Sequence, residues 1–275
     1  CSNNTGDANG QYSCTRLTSD LVTGDYNETG VVSKQYYDDA STVKENAFRI
    51  RYSPQLSKQQ ATPTTEGWGY NFTFNVSAQD SDPGDYLNIS LWKSYGGEWI
   101  KVMQKNCESC LSEQTFFFHP EFSCEDYVNG PTVRFKFNAS DSYGLKAETP
   151  NFTVTFEQDD VIFTIVQGNG AIINRSDEND NNAYNFVVIV NDTDRRNVTV
   201  NSSEEPRQVI IGYLIFSKEP IGPTFDDGHS NTTVNGYLSY YFNPSCNYKV
   251  GLQYWEANIT GNTCYKNAEM QSPYP

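Results

Sequence analysis

The feature that most constrains the fold of this 275-residue chain is a two-residue alternation of apolar and polar side chains in short segments. In Asn71–Ser77, for example, Phe72, Phe74 and Val76 occupy every second position and polar residues lie between them. Residues two apart in a β-strand share a face, so such a segment has one buried face and one solvent face. Helical periodicity is nearly absent. The sequence therefore predicts an all-β protein with the short, regularly spaced strands of a β-sandwich.

The predicted strands fall into two sets of similar pattern. Phe74–Asp82 and Phe186–Asp194 are each a strand that runs into Asp-x-Asp, at an offset of 112 residues. A strand with an Asn-x-Ser/Thr sequence follows each of them, and the offset suits the length of one sandwich. We predict two tandem immunoglobulin-like β-sandwiches, residues 46–158 and 159–275, after an extended N-terminal arm, residues 1–45.

Several segments resemble the PKD-like and related immunoglobulin-like repeats of secreted microbial surface glycoproteins. Asp80–Asp85 is similar to their D-x-D-G-D turn, Phe137–Gly144 to a later strand and turn, and Asn151–Phe156 to the closing strand. Trp92–Gly97 stands where PKD domains have W-D-F-G-D-G, so the resemblance is to the broader immunoglobulin-like class. The resemblance implies extracellular scaffolding or adhesion rather than chemistry. A fold alone, however, does not fix function.

Asparagines in Asn-x-Ser/Thr sequences are unusually frequent, with thirteen N-glycosylation acceptors in the chain. Many fall in alternating segments, where the acceptor and its Ser or Thr share the solvent face. We therefore expect a secreted protein whose sheet surfaces carry N-linked glycans. The acceptors are Asn3, Asn27, Asn71, Asn75, Asn88, Asn138, Asn151, Asn174, Asn191, Asn197, Asn201, Asn231 and Asn258.

The cysteines indicate disulfides and hence an oxidising compartment. Their local clustering predicts a Cys246–Cys264 bond and a bond from Cys124 to Cys107 or Cys110. A zinc site at Cys107-x-x-Cys110 would need Cys124 and His119 as further ligands, which is a weaker interpretation. Because the number of cysteines is odd, one is free, modified or bonded to another molecule. The seven are Cys1, Cys14, Cys107, Cys110, Cys124, Cys246 and Cys264.

The first residue, Cys1, suggests that a leader has been removed. Because Ser and Asn follow it, Cys1 also suggests a lipid tether as an alternative form of attachment.

Composition excludes several classes of function. The net charge of −15 repels phosphate backbones, so no nucleic-acid partner is expected. No apolar run approaches the 18 residues of a membrane span. The motifs of hydrolases, metalloproteases and nucleotide-binding enzymes are missing, so the sequence predicts that the chain is not an enzyme. His119 is expected to be structural and His229 to be solvated in a turn.

One cluster of acidic residues is a candidate cation site. Asp80, Asp82 and Asp85 alternate along one loop, and Asp141 can approach from a neighbouring turn. Hard carboxylate oxygens at this spacing suit Ca²⁺. The alternative is that Asp, Pro and Gly simply form a turn. No other cofactor is expected.

The four tryptophans offer a second candidate site, a sugar-binding platform. The alternative is core packing, which is the usual environment of Trp in strands. They are Trp68, Trp92, Trp99 and Trp255.

These features together predict a structural subunit of an extracellular fibre or cell-surface coat. We expect its partner to be another copy of itself, added head to tail, and the arm to donate a strand to the next subunit. Phe48–Tyr52 alternates and is a candidate donor, although it also suits the first strand of its own sandwich; Val31-Val32 and Tyr36-Tyr37 are further candidates. The alternative function is an adhesin or receptor ectodomain that binds glycan or protein.

Overall fold

The computed structural model describes residues 9–175, 183–195, 198–199, 210–220 and 224–271. Over these residues the chain has an all-β fold, as the alternation predicts, and the helix found there, α1 (Cys124–Val128), is five residues long. In the described part of the chain no helix has the length and apolar character that a membrane crossing needs. Of the residues singled out above, Cys1, Asn3, Asn197 and Asn201 lie outside this part.

The N-terminal arm contains a β-hairpin. Residues 9–23 include no strand, whereas β1 (Gly24–Val32) pairs antiparallel with β2 (Ala40–Ile50). Within the described residues, neither strand pairs with any other strand. The candidate donor segment Phe48–Tyr52 therefore begins inside the hairpin and does not form the first strand of its own sandwich. The hairpin also runs past the predicted end of the arm at residue 45.

The first sandwich consists of two sheets whose aromatic side chains meet between them. Its strands are β3 (Gln55–Thr62), β4 (Thr65–Gly67), β5 (Thr73–Gln79), β6 (Leu87–Ser94), β7 (Ile100–Cys107), β8 (Gln114–Phe118), β9 (Thr132–Ser140), β10 (Lys146–Glu148) and β11 (Phe152–Glu157). One sheet has the order β3-β5-β8, and the other has β4-β11-β9-β6-β7 with β10 on the end of β9. Phe74 of the first sheet and Phe135 of the second are fully buried, with ring centroids 4.7 Å apart.

The second sandwich repeats much of this arrangement. Its strands are β12 (Val161–Gln167), β13 (Tyr184–Asp192), β14 (Val198–Thr199), β15 (Ile211–Phe216), β16 (His229–Thr232), β17 (Tyr237–Phe242), β18 (Trp255–Ile259) and β19 (Ala268–Glu269). In one sheet β13 lies between β12 and β17, with β14 beside its end, and the other sheet has the order β16-β15-β18-β19. Phe186 and Phe216 pack across the two sheets with ring centroids 4.8 Å apart.

Strand pairing supports the repeat inferred from the sequence. In the first copy β5 lies between β3 and β8, and in the second β13 lies between β12 and β17. In the other sheet of each copy, β9 pairs with β6 and β10, and β18 pairs with β15 and β19. Asp80 directly follows β5 and Asp192 ends β13. The two Asp-x-Asp sequences therefore occupy the same position in the two copies.

The described disulfides are Cys107–Cys110 and Cys124–Cys264, and Cys14 is also disulfide-bonded. Both predicted pairings, Cys246–Cys264 and Cys124 with Cys107 or Cys110, are therefore wrong. The prediction relied on short separations in sequence, whereas the fold brings α1 against the loop after β18 and joins residues 140 apart. Cys246 is exposed, and zinc at Cys107 and Cys110 is excluded while these sulfurs are bonded to each other.

Polar and aromatic contacts reinforce the disulfide between the sandwiches. The indole Nε1 of Trp68 donates a hydrogen bond of 2.8 Å to the carbonyl oxygen of Cys264. The Trp68 ring also meets the ring of Tyr265 edge-on, with centroids 6.0 Å apart, and both side chains are almost completely buried. The backbone N–H of Gly69 donates to the carboxylate of Asp159 at 2.8 Å. These contacts define the junction of the two sandwiches.

Removing the Cys124–Cys264 bond is expected to destabilise the protein more than removing Cys107–Cys110. Loop-closure entropy for separations of 140 and 3 residues gives about 5 kcal/mol against about 1.6 kcal/mol at 25 °C. We predict that the Cys124→Ala/Cys264→Ala double variant unfolds at a clearly lower guanidinium concentration than the Cys107→Ala/Cys110→Ala control. Equal losses in the two variants would contradict the long-range pairing.

Candidate functional site

The predicted acidic cluster lies at the end of the first sandwich that adjoins the arm. Asp80, Asp82 and Asp85 follow β5, and Asp141 follows β9. All four carboxylates are more than nine-tenths buried, which is unusual for charged side chains. Oxygens of the first three lie within 4.8 Å of one another. The carboxylates of the acidic loop that the sequence indicated therefore lie close together in the structure.

Each of these carboxylates uses one oxygen in hydrogen bonds and leaves the other without a partner. Asp80 Oδ1 accepts from the backbone N–H of Asp82 at 3.0 Å, and Asp82 Oδ2 accepts from that of Tyr52 at 2.9 Å. Asp85 Oδ1 accepts from the backbone N–H and the hydroxyl of Ser142. The buried oxygens without a hydrogen-bond partner are Asp80 Oδ2, Asp82 Oδ1, Asp85 Oδ2 and Asp141 Oδ2.

Uncompensated negative charge accumulates in this cluster. Burial raises the pKa of Asp80, and the neighbouring charges of Asp82, Asp85 and Asp141 raise it further. Among the ion pairs of the described residues, none involves these four carboxylates. A buried carboxylate is costly unless it is paired, protonated or bound to a cation.

A second acidic cluster, which the sequence analysis did not identify as a site, lies at the junction. Asp159 and Asp192 are completely buried, and Asp194 accepts a hydrogen bond of 2.8 Å from the backbone N–H of Asp160. Burial raises the pKa of Asp159 to about 9, and the charge of Asp192 contributes. Burial likewise raises the pKa values of Asp192 and Asp194. The signal in the sequence was the repeat itself, because Asp192-Thr193-Asp194 aligns with Asp80-Ser81-Asp82.

The far end of the second sandwich contains an open apolar cavity of about 620 Å³. Core side chains form its floor: Phe186, Phe216, Phe242 and Trp255. Its walls are residues 168–175, which connect β12 towards β13, and residues 248–255, which lead into β18. Exposed apolar side chains stand at its rim: Ile172 (95% exposed), Val250 (76%) and Leu252 (60%).

The cavity lies where the first sandwich has strands. In the first copy, β10 and β11 together cover the outer edge of β9, and β4 pairs in parallel with β11. In the second copy, β19 pairs with only the last two residues of β18, and Met270 donates one more backbone bond to Ala257. No further strand covers β18 on this side within the described residues, and residues 168–175 contain none. The sandwich core is therefore open at this edge.

Histidines and tryptophans have mostly structural environments. His119 is exposed and hydrogen-bonded to Thr73, whereas His229 is not simply solvated in a turn. Its ring stacks on Tyr240 with centroids 4.2 Å apart, and its Nε2 lies 3.2 Å from Asp226 Oδ2.

Two of the tryptophans, Trp68 and Trp255, are buried in the cores. Trp92 and Trp99 are half-buried, and Lys136 lies over the ring of Trp99 at 4.4 Å. The four therefore do not form a shared platform for a sugar.

None of the predicted glycosylation acceptors in the described residues is fully buried. Three of the exposed acceptors lie in loops, one lies in the arm hairpin and one in the edge strand β16, whereas those in the other sandwich strands are half-buried beside core residues. Exposed are Asn27, Asn71, Asn151, Asn174 and Asn231; half-buried are Asn75, Asn88, Asn138, Asn191 and Asn258.

Comparisons with known proteins do not assign the chain to a family. No family model matches the chain, and no curated protein matches it. Among solved structures the chain is similar to a red sea bream transglutaminase, with 9% identity, a TM-score of 0.26, and coverage of 80% of this chain and 31% of the other. The chain thus spans about a third of that protein's length.

The prediction that the chain is not an enzyme is corrected by this comparison, because the similar structure is that of an enzyme. The absence of familiar motifs was too weak a basis for excluding catalysis. The comparison assigns no particular activity to this chain.

The junction cluster is expected to make stability depend on pH. The pKa of Asp159 is about 9 in the folded chain against an ordinary value of 3.8, so the folded state holds a proton that the unfolded state releases. This proton favours folding at low pH, and the benefit is lost as pH rises through about 9. Melting temperatures from pH 5 to 9 should therefore fall more steeply for the wild type than for Asp159→Asn. The variant Glu108→Gln, which changes an exposed acid away from the junction, should follow the wild type, and parallel profiles for Asp159→Asn and wild type would contradict the assignment.

Most of the acceptor asparagines are expected to carry glycans, as glycopeptide mass spectrometry of the protein purified from its native source can determine. Enzymatic deglycosylation of the folded protein should then release glycans from the exposed sites before the half-buried ones, because the enzyme must reach the Asn side chain. Occupancy at fewer than half of the sites would contradict the prediction that N-linked glycans cover the sheet surfaces.

Proposed function

We propose that this chain is a secreted, N-glycosylated structural subunit of an extracellular fibre or cell-surface coat. Subunits assemble head to tail, and the N-terminal arm of one copy supplies a strand to the second sandwich of the next. The sandwiches belong to the immunoglobulin-like class in this proposal, in keeping with the resemblance of Asp80–Asp85 and Phe137–Gly144 to its turns. The observation that carries the proposal is that the arm and the open cavity lie at opposite ends of the two-sandwich row.

The direction of the strands supports this polarity. The arm enters the first sandwich at the end where β5 finishes, since Tyr52 bonds to Asp82. The other end of that sandwich, with Trp68, forms the junction. In the second sandwich β13 runs from Tyr184 near the cavity to Asp192 at the junction, so the cavity is at the remote end. Contacts between unlike ends of a chain propagate into a filament rather than closing into a dimer.

The acceptor end has the properties that strand donation needs. On its outer edge, β18 is open at the residues that precede Ala257. The backbone groups of an added strand would hydrogen-bond to this part of the edge. Alternate side chains of that strand would enter the 620 Å³ cavity and cover Phe186, Phe242 and Trp255. In the first sandwich β11 does the same for β9, with Val154 and Phe156 buried.

The arm has the properties of the donor. A two-stranded hairpin on its own is marginally stable in water, and this one leaves large apolar side chains exposed. Val31, Tyr36, Tyr37 and Val43 are all more than half exposed. Asp38 and Asp39 follow the two tyrosines, and their charge is opposite to that of Arg175 at the cavity. A second copy of this chain is therefore the occupant that we assign to the cavity.

The test of assembly uses two kinds of variant. Deleting residues 1–45 removes the donor, and Ile172→Asp with Leu252→Asp places charges at the rim of the acceptor. Both rim residues are exposed in the single subunit, so we expect the variant to fold. Each change should convert filaments, seen by negative-stain electron microscopy, into monomers on size-exclusion chromatography, whereas Ile100→Asp, on the half-exposed edge strand of the first sandwich, should still polymerise.

A synthetic peptide of residues 24–52 should bind the arm-deleted protein and lose affinity for the rim variant of that protein. Normal filaments from the arm-deleted chain would overturn strand donation. A wild-type protein that stays monomeric and binds a glycan array would instead support the alternative function, a cell-surface adhesin or receptor ectodomain.

A further inference from the structure

We propose that the four buried carboxylates at the arm end of the first sandwich bind Ca²⁺. The cluster is Asp80, Asp82, Asp85 and Asp141, and the inference does not depend on assembly into a fibre. What distinguishes it from an ordinary acidic turn is that every member is more than nine-tenths buried and has one oxygen without a hydrogen-bond partner. A turn made by Asp, Pro and Gly alone would leave these groups in water.

Hydrogen bonds fix the carboxylates in orientation without using the atoms that would bind the ion. The backbone N–H groups of Tyr143 and Leu145 donate to Asp141 Oδ1 at 2.9 and 2.8 Å, which leaves Oδ2 available. Gly84 and Gly144 have positive φ values of 79° and 86°, and these left-handed residues let the two loops turn back. The four available oxygens thus come from two loops that the backbone holds in place.

The size and chemistry of the cluster suit calcium. Oxygens of Asp80, Asp82 and Asp85 lie within 4.8 Å of one another, so they are close enough to bind a single ion at Ca–O distances of about 2.4 Å. Ca²⁺ takes six to eight oxygen ligands in flexible geometry, so backbone carbonyls and water can complete the shell. Mg²⁺ needs a tighter octahedron and holds its own water more strongly, so it is the poorer candidate.

The position of the cluster gives the ion a structural role. Asp82 accepts a hydrogen bond from the backbone of Tyr52, the residue through which the arm enters the sandwich. The guanidinium of Arg51 lies over the ring of Tyr143, 4.7 Å from its centroid, in the loop that also contains Asp141. An ion held by these loops would therefore fix the start of the arm against the first sandwich.

Calcium binding is tested by thermal unfolding of the full-length protein in EDTA and in millimolar Ca²⁺, together with calorimetric titration. The wild type should gain about 5 °C or more in Ca²⁺ at concentrations far above the dissociation constant. The Asp80→Asn/Asp85→Asn variant should lose this gain and the titration signal, yet melt no lower than the wild type in EDTA because it buries less negative charge. Mg²⁺ at the same concentration should give a clearly smaller shift.

The matched control is Asp126→Asn, which alters a buried carboxylate that is already bonded to Lys93 and Tyr95. This variant should be less stable in both buffers and keep the full calcium shift. A second readout is tryptic cleavage after Arg51. Ca²⁺ should slow this cleavage in the wild type and leave it unchanged in the Asp80→Asn/Asp85→Asn variant. A wild type with the same melting temperature in EDTA and Ca²⁺, or a double variant with an undiminished shift, would overturn the proposal. Neither result depends on whether the protein forms filaments.

Discussion

The hydrogen bond from Trp68 to the carbonyl oxygen of Cys264, buried beside Tyr265 and locked by the Cys124–Cys264 bond, is the contact on which the arrangement of this molecule depends. It joins the loop between β4 and β5 of the first sandwich to the loop between β18 and β19 of the second. Because the sandwiches meet end to end, the arm and the open cavity are held far apart. The proposed polarity of assembly follows from this one buried contact.

The two acidic clusters show how one sequence motif can take two environments. Both lie at the end of a strand that has a neighbour on each side in its sheet, one directly after β5 and the other at the end of β13. At the junction, Asp159 accepts backbone hydrogen bonds from Gly69, and the backbone N–H of Arg195 donates to Asp192 at 2.9 Å. A Cβ on Gly67 or Gly69 would come within 2.5 Å of these acidic side chains, so the neighbouring sandwich approaches too closely for larger residues. At the arm end no second sandwich lies over the cluster within the described residues, and four of its carboxylate oxygens have no hydrogen-bond partner.

Much of the fold was predictable from the sequence because alternation is a local property. Phe74 and Val76 are buried, and Asn75 between them lies on the outer face, as the pattern requires. The acidic loop was predictable for the same reason, since Asp80, Asp82 and Asp85 are close in sequence. The disulfide from Cys124 to Cys264 was not, because proximity across 140 residues is decided by how the sandwiches meet. The cavity also escaped prediction, since it results from a strand that the second copy lacks among its described residues.

The Cys124–Cys264 bond gives the joined sandwiches a particular response to mechanical load. Tension applied between the arm and the remote end of the second sandwich passes the junction along two parallel routes, the backbone through Glu157–Asp160 and the disulfide. The covalent bridge prevents the sandwiches from peeling apart when the hydrogen bonds at Trp68 and Gly69 yield. Extension must then come from unfolding within a sandwich. A reducing environment would remove that second route and leave the two sandwiches covalently joined by the backbone alone.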